Sequence, residues 1–149
     1  MIIYLLIVSR LYGLLAINAL GASDKVLIPV QTQYLPLKGM TQLIETINKI
    51  KAVINPNLKI DGIVLNLADM QTRLAKSTVD ILQKSYGSAI KIYNTIIPRS
   101  VKIAECSAIG KSIYAYDKSS KQAKIYEDFV KEVIKNNERV RNERHTEYR

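Results

Sequence analysis

Apolar runs of strand length alternate with segments of helical periodicity along this chain, and that alternation leaves few folds open. Ile2–Val8 is a continuous apolar run, as expected for a strand covered on both faces. Leu11–Leu20 reads as a short helix. Lys25–Val30 (KVLIPV) is a second strand, with Pro29 suited to its end rather than its centre. From Lys38 to Ile54, Leu43, Ile44, Ile47, Ile50 and Ile54 recur at three- and four-residue steps, which predicts a helix stopped by Asn55-Pro56-Asn57. Ile60–Leu67 is a third strand. Thr72–Tyr86 is a helix with Leu74, Thr78, Ile81, Leu82 and Ser85 inward, and Gly87 as its stop. Ile90–Ile97 is a fourth strand, ended by Pro98. A short helix over Ser100–Ala108 ends near Gly110, and Ser112–Tyr116 reads as a short extended piece. The last helix begins at Ser119 or Ser120 with Ala123, Tyr126, Val130, Val133 and Ile134 as its apolar stripe. From Lys135 the pattern dissolves into mixed charge, which reads as a frayed, solvated end.

The expected fold is therefore α/β, a mostly parallel sheet with helices on both faces. Residues 1–134 form the structural unit and 135–149 a charged tail. The apolar opening MIIYLLIV lacks a positive flank, is interrupted by Arg10, and falls far short of the about 20 apolar residues a membrane span needs. No membrane partner is expected.

Charge narrows the partners. Lys and Arg number 22 against 13 Asp and Glu, a net +9 that favours an anionic partner such as nucleic acid. The single cysteine, Cys106, makes neither an internal disulfide nor a zinc cluster and fits a reducing, cytoplasmic setting. It reads as a small buried residue. His145 is the one histidine and reads as a solvated residue near the end. Glu45, Asp61, Asp69 and Asp80 form no evident carboxylate pair, and Ser107 has no nucleophile-elbow context. Tyr114 and Tyr116 alternate at strand spacing, which packing explains.

Five blocks occur in order: GLLAINAL (13–20), KVLIPVQTQYLPLKG (25–39), INPNLKIDGIVL (54–65), IIPRSVKIAE (96–105) and GKSIYAYD (110–117). Together they resemble the C-terminal part of ParA/Soj partition ATPases, with the subgroup on mobile elements of Gram-positive bacteria the nearest in pattern. The resemblance covers about residues 11–134. It implies a deviant Walker A P-loop NTPase fold without its N-terminal strands and P-loop. It also implies ATP and Mg²⁺ as family cofactors, nonspecific DNA binding, and a cytoplasmic, nucleoid-associated location. The implied protein partners are a second copy or an intact ParA, and a ParB-like protein.

The catalytic parts of the family pattern are not matched. A P-loop needs backbone N–H groups and ammonium charges to cradle phosphates. None of the glycines at 13, 21, 39, 62, 87 and 110 has the G-x-x-x-x-G-K-[ST] spacing. In the resemblance, Ile7 stands where the family has its Mg²⁺-associated Asp, and Arg10 where a Pro is usual. An apolar side chain offers a hydrated Mg²⁺ no oxygen ligand. No catalytic residue is assigned. The chain alone is expected to be inactive and to bind neither ATP nor Mg²⁺. The abrupt start is expected to reflect a truncated or frame-damaged gene, or a start codon inside a longer one. The alternative is a non-catalytic DNA-binding or ParA-associating module.

The remaining candidate residues come from the same resemblance. Pro98 and Arg99 follow the fourth strand, where the family contacts adenine, and Asn66 ends the third strand near the same position. Strand ends of this kind are where open α/β sheets bind ligands. For DNA, the family's D-x-R-T-N-like segment aligns with Asp69-Met70-Gln71-Thr72-Arg73, which moves the cation to Arg73. Lys102 falls at the second basic position after the IPR motif, and Arg99, Lys76 and Lys111 add to the field. Phosphate contacts need charge more than fork geometry, so lysine serves there.

Overall fold

Three β-branched, apolar segments become the parallel strands of one sheet: β1 (Lys25–Gln31), β2 (Lys59–Ala68) and β3 (Ile92–Pro98), in the order β1-β2-β3. The computed structural model describes residues 13–32 and 37–147. The expected Ile2–Val8 strand, with Ile7 and Arg10, lies outside them. Helices α1 (Leu14–Ala22), α2 (Leu37–Val53), α3 (Arg73–Tyr86), α4 (Val101–Ala108), α5 (Ile113–Asp117) and α6 (Lys121–Glu147) complete the order. β1 pairs with β2 from Lys25↔Lys59 to Gln31↔Asn66, and β2 with β3 from Ile63↔Ile92 to Ala68↔Pro98.

Apolar residues pack on both faces of the sheet, as a parallel sheet requires, most completely at the central strand β2. Val26, Ile28 and Val30 of β1, Ile63 and Leu65 of β2, and Ile92 and Ile96 of β3 pack with Leu20, Met40, Ile47, Ile50 and Leu82 from α1, α2 and α3. On the opposite face Leu27, Val64, Tyr93 and Ile97 pack against Ile125, Tyr126, Phe129 and Val133 of α6. A sheet that advances in one direction through right-handed crossovers puts α2 and α3 on one side. The second side is left for α6. Pro29 lies within β1 rather than at its end, with its side chain exposed. A proline costs least there because β1 is an edge strand of this sheet among the described residues.

Local chemistry sets the element ends. Asn55 donates to the carbonyls of Leu20 (3.1 Å) and Ser23 (2.7 Å), tying the end of α2 to the turn after α1. Thr72 Oγ1 accepts from Ala75 N (3.2 Å) and starts α3. Gly110 adopts φ 65°, the left-handed stop of α4, with Lys111 N donating to Cys106 O (2.9 Å).

Four further expectations change. Ser112–Tyr116 is not extended: Ser112 Oγ accepts from Ala115 N (3.2 Å), and that cap starts α5. Tyr114 and Tyr116 are thereby exposed rather than packed. The inner face of α3 is Ala75, Thr78, Val79 and Leu82, whereas Leu74, Ile81 and Ser85 face outward. Thr78 turns in because its hydroxyl donates to Thr32 O (3.1 Å). On α6, Phe129 rather than Val130 meets the sheet, and Val130 and Ile134 are exposed. Finally, α6 does not end near Lys135 but continues to Glu147. The continuation is anchored by side chains just beyond Lys135. Asn136 Nδ2 approaches Asp61 Oδ1 and the Tyr93 hydroxyl (both 3.4 Å), and Asn137 Oδ1 accepts from Lys25 Nζ.

Ser120 both closes α5 and opens α6. Its hydroxyl donates to Asp117 O (2.7 Å) and accepts from Ala123 N (3.2 Å), and the residue is buried. Ser120→Ala is expected to cost about 1 kcal/mol, the usual worth of such a cap. Urea unfolding of the two proteins checks this.

Candidate functional site

Parallel strands all point their C-terminal ends one way, and the loops leaving them converge there. Ala68 at the end of β2 accepts from Arg99 N (3.4 Å) just past β3, which brings the two exits together. Around them opens a cleft of about 840 Å³. Asp69, Met70 and Gln71 form one wall, Ile96, Pro98 and Arg99 the floor, and Ser100, Val101 and Ala104 the start of α4. Lys121 and Ile125, from the first turns of α6, close the remaining side.

The acidic wall is held by its own turn. Asp69 Oδ1 accepts from Gln71 N (3.2 Å), while Asp69 O accepts from Thr72 N (3.1 Å) and Thr72 Oγ1 (2.9 Å). Arg99 and Lys121 bring positive charge to the cleft. Ser100 occupies the N-cap position of α4, but its hydroxyl makes no bond to the helix. The first-turn N–H groups of α4 thus lack a side-chain cap at the cleft rim. Apolar surface from Ile96, Pro98, Val101 and Ile125 lies between these polar groups.

The two residues expected at a base-binding wall, Pro98 and Arg99, line the cleft. Asn66 does not. It pairs in register with Gln31, and its Oδ1 accepts from Leu67 N (2.9 Å). Leu67 there takes φ 50°, a left-handed turn in which the Asn carboxamide serves the backbone. Lys121 is a cleft residue that no local pattern in the sequence marks. It lies more than twenty residues beyond Pro98, and only the return of the chain through α4 and α5 brings it back.

The expected DNA-facing cations spread over the exits rather than into one pocket. Arg73 opens α3 and is exposed, with Lys76 one turn on. Lys111 is exposed in the turn between α4 and α5. Lys102, in the first turn of α4, bonds Asp117 Oδ2 at 2.5 Å. That hydrogen bond raises the lysine pKa and, reciprocally, is the main cause of the lowered Asp117 pKa. Asp117 Oδ1 also accepts from Ser119 Oγ (3.0 Å). Cys106 is buried, with Ile113 and Ala123 in the same cluster. Among the described residues, no group of three or more His, Cys, Asp or Glu side chains is placed to hold a metal ion, and no helix is long and apolar enough to cross a membrane.

A parallel sheet covered on both faces, with a cleft at its C-terminal edge, is an open α/β fold, and its likeness to solved structures makes it one of the P-loop NTPase type. A solved structure bears this out: cobyrinic acid a,c-diamide synthase from Mycobacterium smegmatis, with bound ADP and magnesium, superposes with a TM-score of 0.60 at 26% identity, over 78% of this chain and 40% of that one. The AAA domain family matches residues 4–60. The sporulation initiation inhibitor protein Soj of Bacillus subtilis is 41% identical over 83% of this chain and 48% of its own length. The chromosome partitioning protein ParA of Myxococcus xanthus is 38% identical over 83% of this chain and 43% of its own. The chain belongs to the ParA/Soj family. It spans about half the length of the curated relatives it matches.

Proposed function

We propose that this chain is the base-side and DNA-facing portion of a ParA/Soj-type partition ATPase, and that alone it binds DNA without turning over ATP. The observation that carries the reading is the cleft at the strand exits, with Pro98 and Arg99 in it and exposed cations beside it, in a chain of this family.

The cleft suits one end of a nucleotide. Ile96, Pro98, Val101 and Ile125 offer apolar surface to a base, and Arg99 and Ser100 offer donors at its edge. The phosphate end is not suited. The 149 residues contain no glycine-rich phosphate loop. No hydrolytic step is therefore assigned to these residues. A chain or segment that brings a P-loop would supply that chemistry, and a second ParA-type copy is the proposed source.

DNA contact rests on charge. Net +9, with exposed Arg73, Arg99 and Lys102 following the strand exits and Lys111 exposed after α4, suits a duplex backbone, which asks for cations rather than base-reading geometry. Fluorescence anisotropy with a generic duplex should show salt-dependent binding without ATP. Arg73→Glu with Lys102→Glu should weaken it by roughly tenfold or more. The same double variant should flatten the slope of log K against log salt by about 0.9 for each phosphate that is no longer neutralised. Unchanged affinity in it would remove the DNA-facing assignment.

A further inference from the structure

We propose that Asp117 regulates the DNA-facing surface by holding Lys102 in an internal ion pair that a DNA phosphate must displace. This rests on the reading of Lys102 as a DNA contact.

The geometry makes the two partners unequal. The Asp117 carboxylate is fixed from several sides. One oxygen takes Lys102 Nζ at 2.5 Å and the other takes Ser119 Oγ at 3.0 Å. The Asp117 backbone carbonyl is bound by Ser120 N (3.1 Å) and Ser120 Oγ (2.7 Å), at the corner where α5 passes into α6. Lys102 has no second partner among the described hydrogen bonds, and its side chain is 45% exposed against 29% for Asp117. A lysine stem has four rotatable carbons and swings freely, whereas this carboxylate is part of a helix corner. When a phosphate arrives, Lys102 moves to it and Asp117 stays.

Asp117 thus acts twice against binding. It competes for the ammonium, and it leaves a carboxylate beside the arriving phosphate once the ammonium has turned away. Glu105, the other acid of this corner, is engaged differently, by the Tyr116 hydroxyl at 3.3 Å. Lys111, Lys118, Lys121 and Lys124 form no ion pair among the described residues, so Lys102 is the cation of this corner that is held in reserve. The consequence is a weaker, more readily reversed hold on DNA than the net charge alone would produce.

The test is a salt titration of duplex binding by the 149-residue chain and its variants, followed by anisotropy. Asp117→Asn keeps the size and an acceptor for Ser119 but removes the charge. It should bind roughly threefold to tenfold more tightly at low salt, with a slope steeper by up to about 0.9. The gain should vanish in Asp117→Asn with Lys102→Gln, and Glu105→Gln alone should produce less of it. If Lys102→Glu leaves affinity unchanged, the DNA-facing reading itself fails. If Lys102→Glu weakens binding but Asp117→Asn is neutral or weaker, that reading stands and the regulatory role of Asp117 is overturned. A gain that persists without Lys102 also overturns it, since it would then be a general charge effect. Circular dichroism melts screen each variant for folding, and Asp117→Ser replaces Asp117→Asn if the latter does not fold.

Discussion

Gly62→Ala is expected to destabilise the chain by about 3 kcal/mol, a large share of the roughly 5–15 kcal/mol that holds a native domain folded. Gly62 lies within β2, where a Cβ would stand 2.6 Å from Tyr93 Cε2, 2.8 Å from Lys91 O and 3.0 Å from Tyr93 Cδ2. Neither neighbour can retreat. Lys91 O accepts from Ile63 N (2.8 Å), a bond of the sheet itself. The Tyr93 ring packs edge-on to Phe129 at 5.5 Å, carries the Lys91 ammonium 4.4 Å from its centre, and is tied at its hydroxyl to Asp61. The added methyl must push β2 from β3 or drive the ring into α6. Urea unfolding measures the loss. A change under about 0.5 kcal/mol would mean that the sheet accommodates the methyl and that Tyr93 is not held as described.

Asp61→Ala is expected to cost about 2–3 kcal/mol, because it strands partners from three other elements. Asp61 Oδ2 accepts from the Tyr93 hydroxyl (2.5 Å) and Oδ1 from Lys25 Nζ (3.0 Å), while Asn136 of α6 reaches both Asp61 and Tyr93. The Asp61 side chain is 6% exposed and that of Lys25 23%, so the figure lies below that for a fully buried pair. Tyr93→Phe removes one hydrogen bond and should cost about 1–2 kcal/mol. The double variant should cost less than the sum, since the two share one bond. Strict additivity would show that the network is not a unit.

Burial, and then the bond to Asp61, raise the Tyr93 pKa well above its ordinary 10.0. A folded pKa above the unfolded one means stability that is complete below about pH 10 and is lost as pH rises beyond it. Tyr93→Phe should flatten that alkaline limb in pH-dependent melts.

Much of the fold can be read along the chain because its signals are local. The stretches Ile60–Leu67 and Thr72–Tyr86 differ from β2 and α3 by one residue at each changed end. Strand runs, helical spacing and caps such as Thr72 act within a few residues. The structure departs from the pattern where two local arrangements fit equally well. The Tyr-Ala-Tyr of α5 has strand spacing, but a serine cap one turn earlier makes it helical. The outward Leu74 and Ile81 satisfy the helical pattern as well as the inward Ala75 and Val79. Size and hydropathy alone do not say which side of a helix meets the sheet.

The candidate site divides the same way. Pro98 and Arg99 are legible because a strand end followed by Pro-Arg-Ser must turn at the sheet edge, and the family resemblance lies on the same residues. Lys121 and the bond between Lys102 and Asp117 are not, because Lys121 returns to the cleft only after α4 and α5, and Lys102 and Asp117 belong to two successive helices.

By itself the sequence determined the alternation of strands and helices, the parallel sheet buried on both faces, the family, and the lack of a phosphate loop in these residues. These depend on periodicity, turn chemistry and motif, which are properties of neighbours along the chain. Only the tertiary structure decided that α6 covers the second face through Ile125, Tyr126, Phe129 and Val133 and runs on past Lys135, that Asp61, Tyr93, Lys25 and Asn136 meet, and that Asp117 holds Lys102. Those interactions join segments up to more than a hundred residues apart, and only folding brings them within a few ångströms.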